Sequence, residues 1–200
     1  MVIASSRSNL MSPSGGLVMT EVGAHYERIW GFPSDRYRLE DGPMRAVNPE
    51  FQVLEFPPRP ARRVWIYATL GMAIRSPSAQ PYGIEVHLLS PVQYSGHLEL
   101  LTALAFFHHT GRALDLGSTV NLGRPWLPQS ACSHGLLAAP YLDVRSVEWV
   151  PSRAVRCLWL VPITAAEREF HRHHGLGALE KAFEQSPAFN YLDPARRAVI

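Results

Sequence analysis

The sequence has few of the residues on which several classes of protein depend. Only two of its 200 residues are cysteine, Cys132 and Cys157, too few for the disulfide framework of a small secreted domain. No apolar run approaches the roughly 20 residues of a membrane-spanning helix. The first 16 residues also lack the apolar block of a secretory signal peptide. We therefore expect a cytoplasmic protein that does not contact the membrane.

An excess of one charge is also missing. The 19 Lys and Arg residues nearly balance the 17 Asp and Glu residues, for a formal net charge of +2. A nucleic-acid-binding domain neutralises many phosphates and therefore carries a clear positive excess. Arg59, Arg62 and Arg63 do form a basic group, but they lie among prolines without interleaved aromatics, which is typical of a solvated loop. The composition predicts no nucleic-acid partner.

Length and apolar content predict one folded domain. A chain of 200 residues that is 46% hydrophobic can bury a complete core without disulfide bonds. Residues 1–16 are rich in Ser, Pro and Gly, which predicts a flexible leader, and residues 17–200 form the domain. Met11 and Met19 are alternative starting positions for the protein.

Two helices are predicted in the first half of the chain. The first begins at an N-cap, Thr20, and ends at Gly31, with an apolar stripe at helical spacing. The second begins after Ser95 and ends at Gly111, for which we expect a left-handed conformation. Its sequence, "GHLELLTALAFFHHTG", is apolar on most sides and predicts a central helix. The stripe of the first helix is Val22, Tyr26, Ile29 and Trp30, and that of the second is Leu98, Leu101, Leu104 and Ala105, broadened by Leu100 and Phe107.

Five segments have the composition of β-strands. "VWIYATLGM" is almost continuously apolar and predicts a strand that is covered on both faces. "GIEVHLL" alternates instead, which predicts that Glu85, His87 and Leu89 lie on a wetter face. The other three strands are predicted in "FQVLEF", "HGLLAAPYL" and "AVRCLWLVPI". Trp65 and Trp159 lie within these apolar segments and are expected in the core.

Two further helices are predicted near the C-terminus. "TAAE" is a capping box in which Thr164 and Glu167 satisfy each other's backbone N–H groups. This helix should end near His174, with Gly175 as its stop, and "LGALEKAFEQS" should form the last one. The pattern of elements predicts an α/β (α+β) fold in which a mixed β-sheet is flanked by helices.

Three histidines close the capped helix. Glu167, His171 and His174 lie on one helical stripe, at i, i+4 and i+7, so that a metal site is geometrically allowed. His171 and His173, in contrast, point about 200° apart and cannot share an ion. Histidines in a last turn also complement the negative end of the helix dipole and hydrogen-bond its free carbonyls, which is the reading that we favour. His108 and His109 have the same placement before Gly111.

Two other arrangements have catalytic residue types. Cys132, Ser133 and His134 are adjacent in the sequence of a predicted loop. A thiol nucleophile and its base must lie within hydrogen-bonding distance in the folded protein. Glu85 and His87 share a strand face, as an acid–base pair might require, although a solvated sheet face gives the same pattern. The alternative function is therefore a small zinc- or thiol-dependent hydrolase built from His108, His109, Cys132, His134 and His171.

A long segment rich in Gly and Pro, residues 116–135, separates the central helix from the later strands. Segments of this length usually bind a partner or cover a core. Trp126 is suited either to anchor a partner, because aromatic residues and Arg are the usual hot spots of interfaces, or to plug the core, because Trp is highly buried on average. We expect Arg124 and Trp126 to contact a partner. Replacing both with Ala should then weaken binding with little change in the melting temperature.

The order of the motifs resembles that of the suppressor-of-fused family, in particular its short bacterial members. The resemblance spans residues 20–200, and Ser118 departs from it, because the family commonly has His at this position. The segments that carry it are "VWIYATLGM", "YGIEVHLLSP", "LELLTALAFFHHTG", "LDLGSTV", "LWLVPITAAE", "HGLGALEKAFE" and "YLDPARRAVI". "LWLVPITAAE", an apolar strand that runs into Pro-Ile-Thr and an acidic residue, is the most specific of them.

The resemblance implies a non-enzymatic, protein-binding domain without a catalytic residue, metal or cofactor. Animal members restrain a transcription factor by clamping an extended segment of it, together with a second domain that this chain lacks. Bacterial members resemble immunity proteins that neutralise toxins delivered between competing cells. A protein partner, and a toxin in particular, is therefore expected. An open sheet edge that accepts a partner strand offers a physical route to such binding.

Overall fold

The structure, a computed structural model, describes residues 13–74, 81–140, 145–151, 154–187 and 189–200. Within these ranges the chain forms five α-helices, one short 3-10 helix (Arg145–Val147) and one seven-stranded sheet. The helices are α1 (Pro13–Trp30), α2 (Pro43–Val47), α3 (Gly96–Thr110), α4 (Ala165–His174) and α5 (Leu176–Gln185). The strands are β1 (Asp35–Tyr37), β2 (Gln52–Phe56), β3 (Trp65–Leu70), β4 (Gly83–Ser90), β5 (Thr119–Asn121), β6 (His134–Ala138) and β7 (Val155–Ile163).

The sheet is mixed, with strand order β1-β2-β3-β4-β7-β6-β5. Every neighbouring pair is antiparallel except β4 and β7, which run parallel in the centre, with Gly83 opposite Val155 and His87 opposite Trp159. A parallel pair requires a long crossover, and the chain between β4 and β7 supplies α3, β5 and β6. The predicted α+β class with a mixed sheet is confirmed.

Helices cover both faces of the sheet and create two separate cores. On one face, the side chains of α1 and α5 pack on Phe56, Ile66 and Trp159. On the other face, α3 packs on Tyr67 and Leu88. Since adjacent strand residues point to opposite faces, the neighbours Ile66 and Tyr67 belong to different cores. Both faces of the central strands are therefore buried, as predicted for β3.

The five predicted strands are all present, but the wetter face predicted for β4 is wrong. Glu85 and His87 are completely buried. The reason is α1, which covers this face so closely that the centroids of the Trp30 and His87 rings are 5.2 Å apart. Alternation of polar and apolar residues in β4 thus marks a polar cluster inside the protein and not a solvated side.

The helix beginnings agree with the predictions only in part. The capping box of α4 is confirmed, with Thr164 Oγ1 accepting from Glu167 N and Glu167 Oε2 accepting from Thr164 N. The N-cap predicted at Thr20 is wrong, because α1 begins at Pro13 and the Thr20 hydroxyl donates to the carbonyl of Gly16. Residues 13–16 of the predicted leader thus lie within α1. Residues 1–12, including Met11, lie outside the described residues.

Three smaller predictions also need correction. Gly111 follows α3 but has φ −113°, so the stop is not left-handed. Phe107, predicted to broaden the buried stripe of α3, is 44% exposed. Arg62 is not a solvated loop residue, since its guanidinium donates to the carbonyl of Pro57 at 2.7 Å and braces the loop before β3.

Among the described helices, none combines the length and the apolar character that crossing a bilayer requires.

Candidate functional site: a groove at the edge of the sheet

A groove of about 360 Å³ lies between α3 and β5. Its lining contains apolar side chains and two uncharged polar ones, and no ionisable group. Phe107 is 44% exposed, and Ala103 and Asn121 are exposed as well. We name this site the edge groove. Its lining residues are Leu100, Ala103, Leu104 and Phe107 of α3, with Thr119, Val120, Asn121 and Leu122.

The edge groove exists because α3 is apolar on more sides than the sheet can cover. Leu101 and Ala105 face the sheet and are fully buried. Leu104 and Phe107 line the flank of the helix that faces the groove, with the three-residue strand β5 on its other side. A helix that is apolar on most sides is stable when its flanks are also covered. In α3 one flank remains partly open at Phe107.

One wall of the edge groove is the last strand of the sheet. Within the described residues, β5 pairs only with β6. Ser118 accepts from Leu137 N, and Leu122 donates to the Ser133 carbonyl, so the even-numbered residues face β6. Because hydrogen-bonding direction alternates along an antiparallel strand, the backbone N–H and C=O groups of Thr119 and Asn121 point away from the sheet. Such an edge is a template for an incoming strand.

The opposite edge of the sheet, β1, is less suited to pairing. Asp35 and Arg36 place charges on this three-residue strand, and Arg36 forms an ion pair with Glu27 of α1. Charged side chains on an edge strand oppose the addition of another strand. The uncharged strand β5, next to an apolar groove, is therefore the edge at which binding is physically favoured.

The two sequence-predicted partner residues lie close to the first turns of α3 but differ in exposure. Trp126 is only 1% exposed, and its ring stacks on His97 with centroids 5.8 Å apart. Of the two roles considered for Trp126, the structure shows the plug. Because Trp to Ala in a core costs about 3–5 kcal/mol, this burial leads us to expect a lower melting temperature when Trp126 is replaced, in contrast to the expectation from the sequence.

Arg124 has the exposed position that Trp126 lacks. Its side chain is 43% exposed, and Nη2 donates to Glu99 Oε2 at 2.9 Å. The same nitrogen donates to the Gly96 carbonyl, also at 2.9 Å. Arg124 lies two residues beyond Leu122, a lining residue of the edge groove. The guanidinium is thus held at one end of that groove.

His97 stacks on Trp126, and no local sequence motif marks it as important. Its Nε2 is 3.1 Å from the hydroxyl of Ser90, and the rings of Tyr67 and Tyr94 meet it edge-on. Burial, with a smaller contribution from the nearby charge of Arg124, lowers the pKa of His97 to about 3. His97 is therefore neutral and supports the segment by stacking.

The histidines of α4 do not form a metal site with Glu167. Both carboxylate oxygens of Glu167 are occupied by Arg196, at 2.7 and 2.8 Å. His173 lies 3.1 Å from Glu169, and the ring of His174 packs on Phe170. Among the described residues, no group of three or more His, Cys, Asp or Glu side chains has the geometry to hold a metal ion.

The histidines at the end of α3 differ from the expected pattern. His108 is buried, and its Nδ1 accepts a hydrogen bond from Leu114 N at 2.9 Å. Burial lowers the pKa of His108 to about 4, so it is neutral. A neutral acceptor cannot donate to helix carbonyls from that nitrogen or complement the helix dipole. His108 instead fixes the turn that follows α3.

The residues proposed for a thiol site lie in surroundings unlike those of a nucleophile. Cys132 is 1% exposed, and burial raises the pKa of its thiol, whereas reactive thiols have lowered pKa values and partial exposure. His134 Nδ1 is 3.2 Å from the Ser133 hydroxyl, and burial lowers the pKa of His134. The described hydrogen bonds do not join the Cys132 thiol to an imidazole.

Glu85 and His87 do not form an accessible acid–base pair either. The Glu85 carboxylate accepts from Thr69 Oγ1 and from the backbone N–H groups of Gly71, Met72 and Ala73, at 2.6 to 3.2 Å. It thereby organises the turn after β3, in which Gly71 has φ 103°. This polar cluster is structural.

The sheet order and the helical layers define a single α+β domain with an apolar groove at one edge. The chain belongs to the suppressor of fused family, whose model, described as "Suppressor of fused protein (SUFU)", matches residues 48–197. The resemblance on which the sequence analysis relied is therefore confirmed. No curated protein matches the chain.

Several solved structures are similar to this one. A SUFU homologue from Neisseria gonorrhoeae FA 1090 is 30% identical, with a TM-score of 0.80, over 92% of this chain and 98% of that chain. Suppressor of Fused from Drosophila is 15% identical, with a TM-score of 0.58, over 94% of this chain and 53% of its own. The structure of the Sufu-Fu complex is 15% identical, with a TM-score of 0.56, over 86% of this chain and 84% of that chain. The chain thus spans about half of the Drosophila protein.

Proposed function

We propose that this chain is a non-enzymatic protein-binding domain that takes an extended segment of a partner protein into the edge groove. The observation that carries the proposal is the position of β5, an uncharged edge strand beside an apolar groove. A partner strand paired with β5 gains main-chain hydrogen bonds from the outward groups of Thr119 and Asn121. Its alternate side chains then enter the groove beside Phe107.

Two comparisons support a protein partner. Members of the suppressor of fused family are known for protein interaction, and one structure of the same fold is a Sufu-Fu complex. Short bacterial members resemble immunity proteins, and this chain is similar over almost its whole length to a bacterial homologue. The partner in this proposal is therefore a toxin, which the chain binds and neutralises in the cytoplasm.

Arg124 and Trp126 have different tasks in this proposal. Arg124 is exposed at the end of the edge groove, where it contacts the partner. Trp126 is buried and acts indirectly, by stacking on His97 and holding the segment that carries Arg124. Replacing Trp126 should therefore lower both stability and binding, whereas replacing Arg124 should lower binding alone.

Site-specific photo-crosslinking in the native cell tests the binding site. The substitution Phe107→p-benzoylphenylalanine places a crosslinker in the edge groove, and Phe32→p-benzoylphenylalanine places one on a phenylalanine that is 76% exposed and does not line the groove. We expect one defined partner crosslinked at position 107 and not at position 32. Equal crosslinking at both positions, or crosslinking at position 32 alone, contradicts the edge groove as the site.

A growth assay tests the toxin assignment separately. The partner crosslinked at position 107 is expressed alone, with the wild-type chain, or with the variant Phe107→Ser. We expect arrest of growth by the partner alone, rescue by the wild-type chain and weaker rescue by the variant. A partner that is harmless when expressed alone contradicts the toxin assignment but leaves protein binding in place.

A further inference from the structure

We infer that Arg124 determines the specificity of the edge groove by selecting a partner segment with a carboxylate beside its apolar residues. The inference rests on the proposed function, because it describes the partner of the same groove. The groove lining contains no ionisable side chain, so the lining itself selects only uncharged, apolar residues. Arg124 supplies a positive charge at one end of this uncharged lining.

The guanidinium of Arg124 is held in place, but its ion pair can still be exchanged for one with a partner. Nη2 is anchored 2.9 Å from the buried backbone carbonyl of Gly96, which gives the side chain one orientation. Its charged partner, Glu99, has a side chain that is 72% exposed. Exposed ion pairs contribute little to stability because water competes for both charges. A carboxylate from a partner can therefore replace that of Glu99 at small cost.

The present ion pair of Arg124 shows that its position suits a carboxylate. His97 in the first turn of α3 has a pKa of about 3 because of burial and of the charge of Arg124. His97 is thus neutral and neither attracts nor repels a partner. In the free protein the Glu99 carboxylate occupies the position that we assign to the partner's Asp or Glu. A guanidinium can bind a carboxylate through two N–H groups at once. The Glu99 carboxylate accepts from only one nitrogen of Arg124, Nη2.

A library of displayed random peptides tests the inference. The library is selected in parallel against the wild-type chain and the variants Arg124→Gln, Arg112→Gln and Phe107→Ser, where Arg112 is an exposed arginine just beyond the other end of α3. We expect wild-type peptides that combine apolar residues with an Asp or Glu at one fixed spacing. Selection against Arg124→Gln should keep the apolar pattern and lose the acidic residue, whereas Arg112→Gln should behave as wild type.

The outcomes separate this inference from the proposed function. Apolar peptides that depend on Phe107 but show no acidic preference, or a preference that survives Arg124→Gln, overturn the role of Arg124 and leave the edge groove intact. Peptides whose selection is indifferent to Phe107→Ser contradict the groove itself. For a selected peptide, changing its acidic residue to the amide should weaken binding to the wild-type chain roughly tenfold, the size of one charge-assisted hydrogen bond. The same change should have no effect on binding to Arg124→Gln.

Discussion

Individual polar residues inside this protein act as structural parts of the fold. Thr69 Oγ1 accepts a hydrogen bond from Val86 N, and its one hydroxyl hydrogen is therefore free to be donated to Glu85. The three backbone N–H groups of the next turn are also donors to this carboxylate. Burial raises the pKa of Glu85, and these hydrogen bonds oppose that rise. The side chain at this position must therefore accept hydrogen bonds through both of its terminal atoms, as a carboxylate does.

The substitution Glu85→Gln tests that requirement. The amide keeps the volume of the side chain but directs an NH2 group at N–H donors, so that at least two buried hydrogen bonds are lost. We expect the free energy of unfolding in urea to fall by roughly 3 kcal/mol. The control Glu184→Gln changes an exposed residue and should alter it by less than about 0.5 kcal/mol. Equal midpoints for the two variants would show that Glu85 does not organise the turn.

Buried neutral histidines predict that the protein loses stability in mild acid. The pKa values of His97 and His108 are about 3 and about 4 in the folded chain, because both side chains are buried. In the unfolded chain each returns to its ordinary value of about 6.5. Below that pH the unfolded chain binds protons that the folded chain does not, so the free energy of unfolding decreases as the pH falls.

The size of this effect can be measured at one histidine. At pH 5, each buried imidazole should have removed roughly 2 kcal/mol of stability relative to pH 7. The variant His108→Gln should therefore lose less stability between pH 7 and pH 5, by about this amount. The control Gln185→Asn, an exposed substitution that removes no titratable group, should retain the wild-type pH dependence. Parallel pH profiles for wild type and His108→Gln would contradict the neutral assignment.

Residue roles that depend on distant chain segments were the least predictable. The hydrogen-bonding partners of Glu85 lie 12 to 16 positions away along the chain, and no local pattern connects them. The burial of Trp126 depends on how residues 122–133 fold onto His97. Composition therefore left its role open. In contrast, the contacts of Thr164 and Glu167 lie within one helical turn and were predicted correctly from "TAAE".

At the scale of elements, helices α3 and α4 begin in different ways. The N-cap of α4, Thr164, accepts a side-chain hydrogen bond from Glu167 N. The N-cap of α3, Ser95, makes no such bond, since its position is in the helical region of the backbone and its hydroxyl is not directed at the first turn. The same kind of residue thus has a cap function in one helix and not in the other.

The substitutions Thr164→Ala and Ser95→Ala form a matched pair for these helix ends. Loss of an N-cap hydrogen bond costs about 1 kcal/mol. We expect that decrease in the free energy of unfolding for Thr164→Ala and almost no change for Ser95→Ala. Thermal or urea unfolding of both variants provides the measurement. Similar losses in the two would contradict the difference between the helix beginnings.

Elements with a long, uniform pattern were predictable, and short ones were not. The long and mostly apolar sequence of β7 and the apolar stripe of α3 identify their own secondary structure. Strand β5 has three residues, Thr119–Asn121, within a Gly- and Pro-rich segment, and only its pairing with β6 makes it a strand. The edge groove depends on this strand. The sequence therefore predicted a long irregular segment here, but not the strand or the groove that it forms with α3.

At the scale of the whole molecule, one buried arginine connects the C-terminal tail to the body, in addition to the apolar contacts of the tail. Arg196 is 4% exposed and forms two hydrogen bonds with the Glu167 carboxylate. It also donates to the Pro162 carbonyl at the end of β7, and its guanidinium lies 5.1 Å from the centroid of the Phe189 ring. A single side chain thereby joins the tail, the end of the sheet and the beginning of α4.

Removal of this arginine should destabilise the protein far more than removal of its neighbour. In Arg196→Met, the Glu167 carboxylate stays buried without its counter-charge, at a cost of about 3–5 kcal/mol. Arg197→Met changes an adjacent arginine that is exposed and should cost less than about 0.5 kcal/mol. Denaturant unfolding compares the two. A small loss for Arg196→Met would show that the tail is held mainly by its apolar contacts.

The central claim is that a partner strand pairs with β5 at the edge of the sheet. Backbone amide exchange tests this claim most directly. Residue-resolved hydrogen exchange is recorded for the chain alone and for its complex with the partner crosslinked at position 107. Pairing with β5 predicts that the outward amides of Thr119 and Asn121 exchange rapidly in the free chain and slowly in the complex, while the amides of β1 (Asp35–Tyr37) do not change. Slowed exchange in β1 with β5 unaffected would contradict the claim.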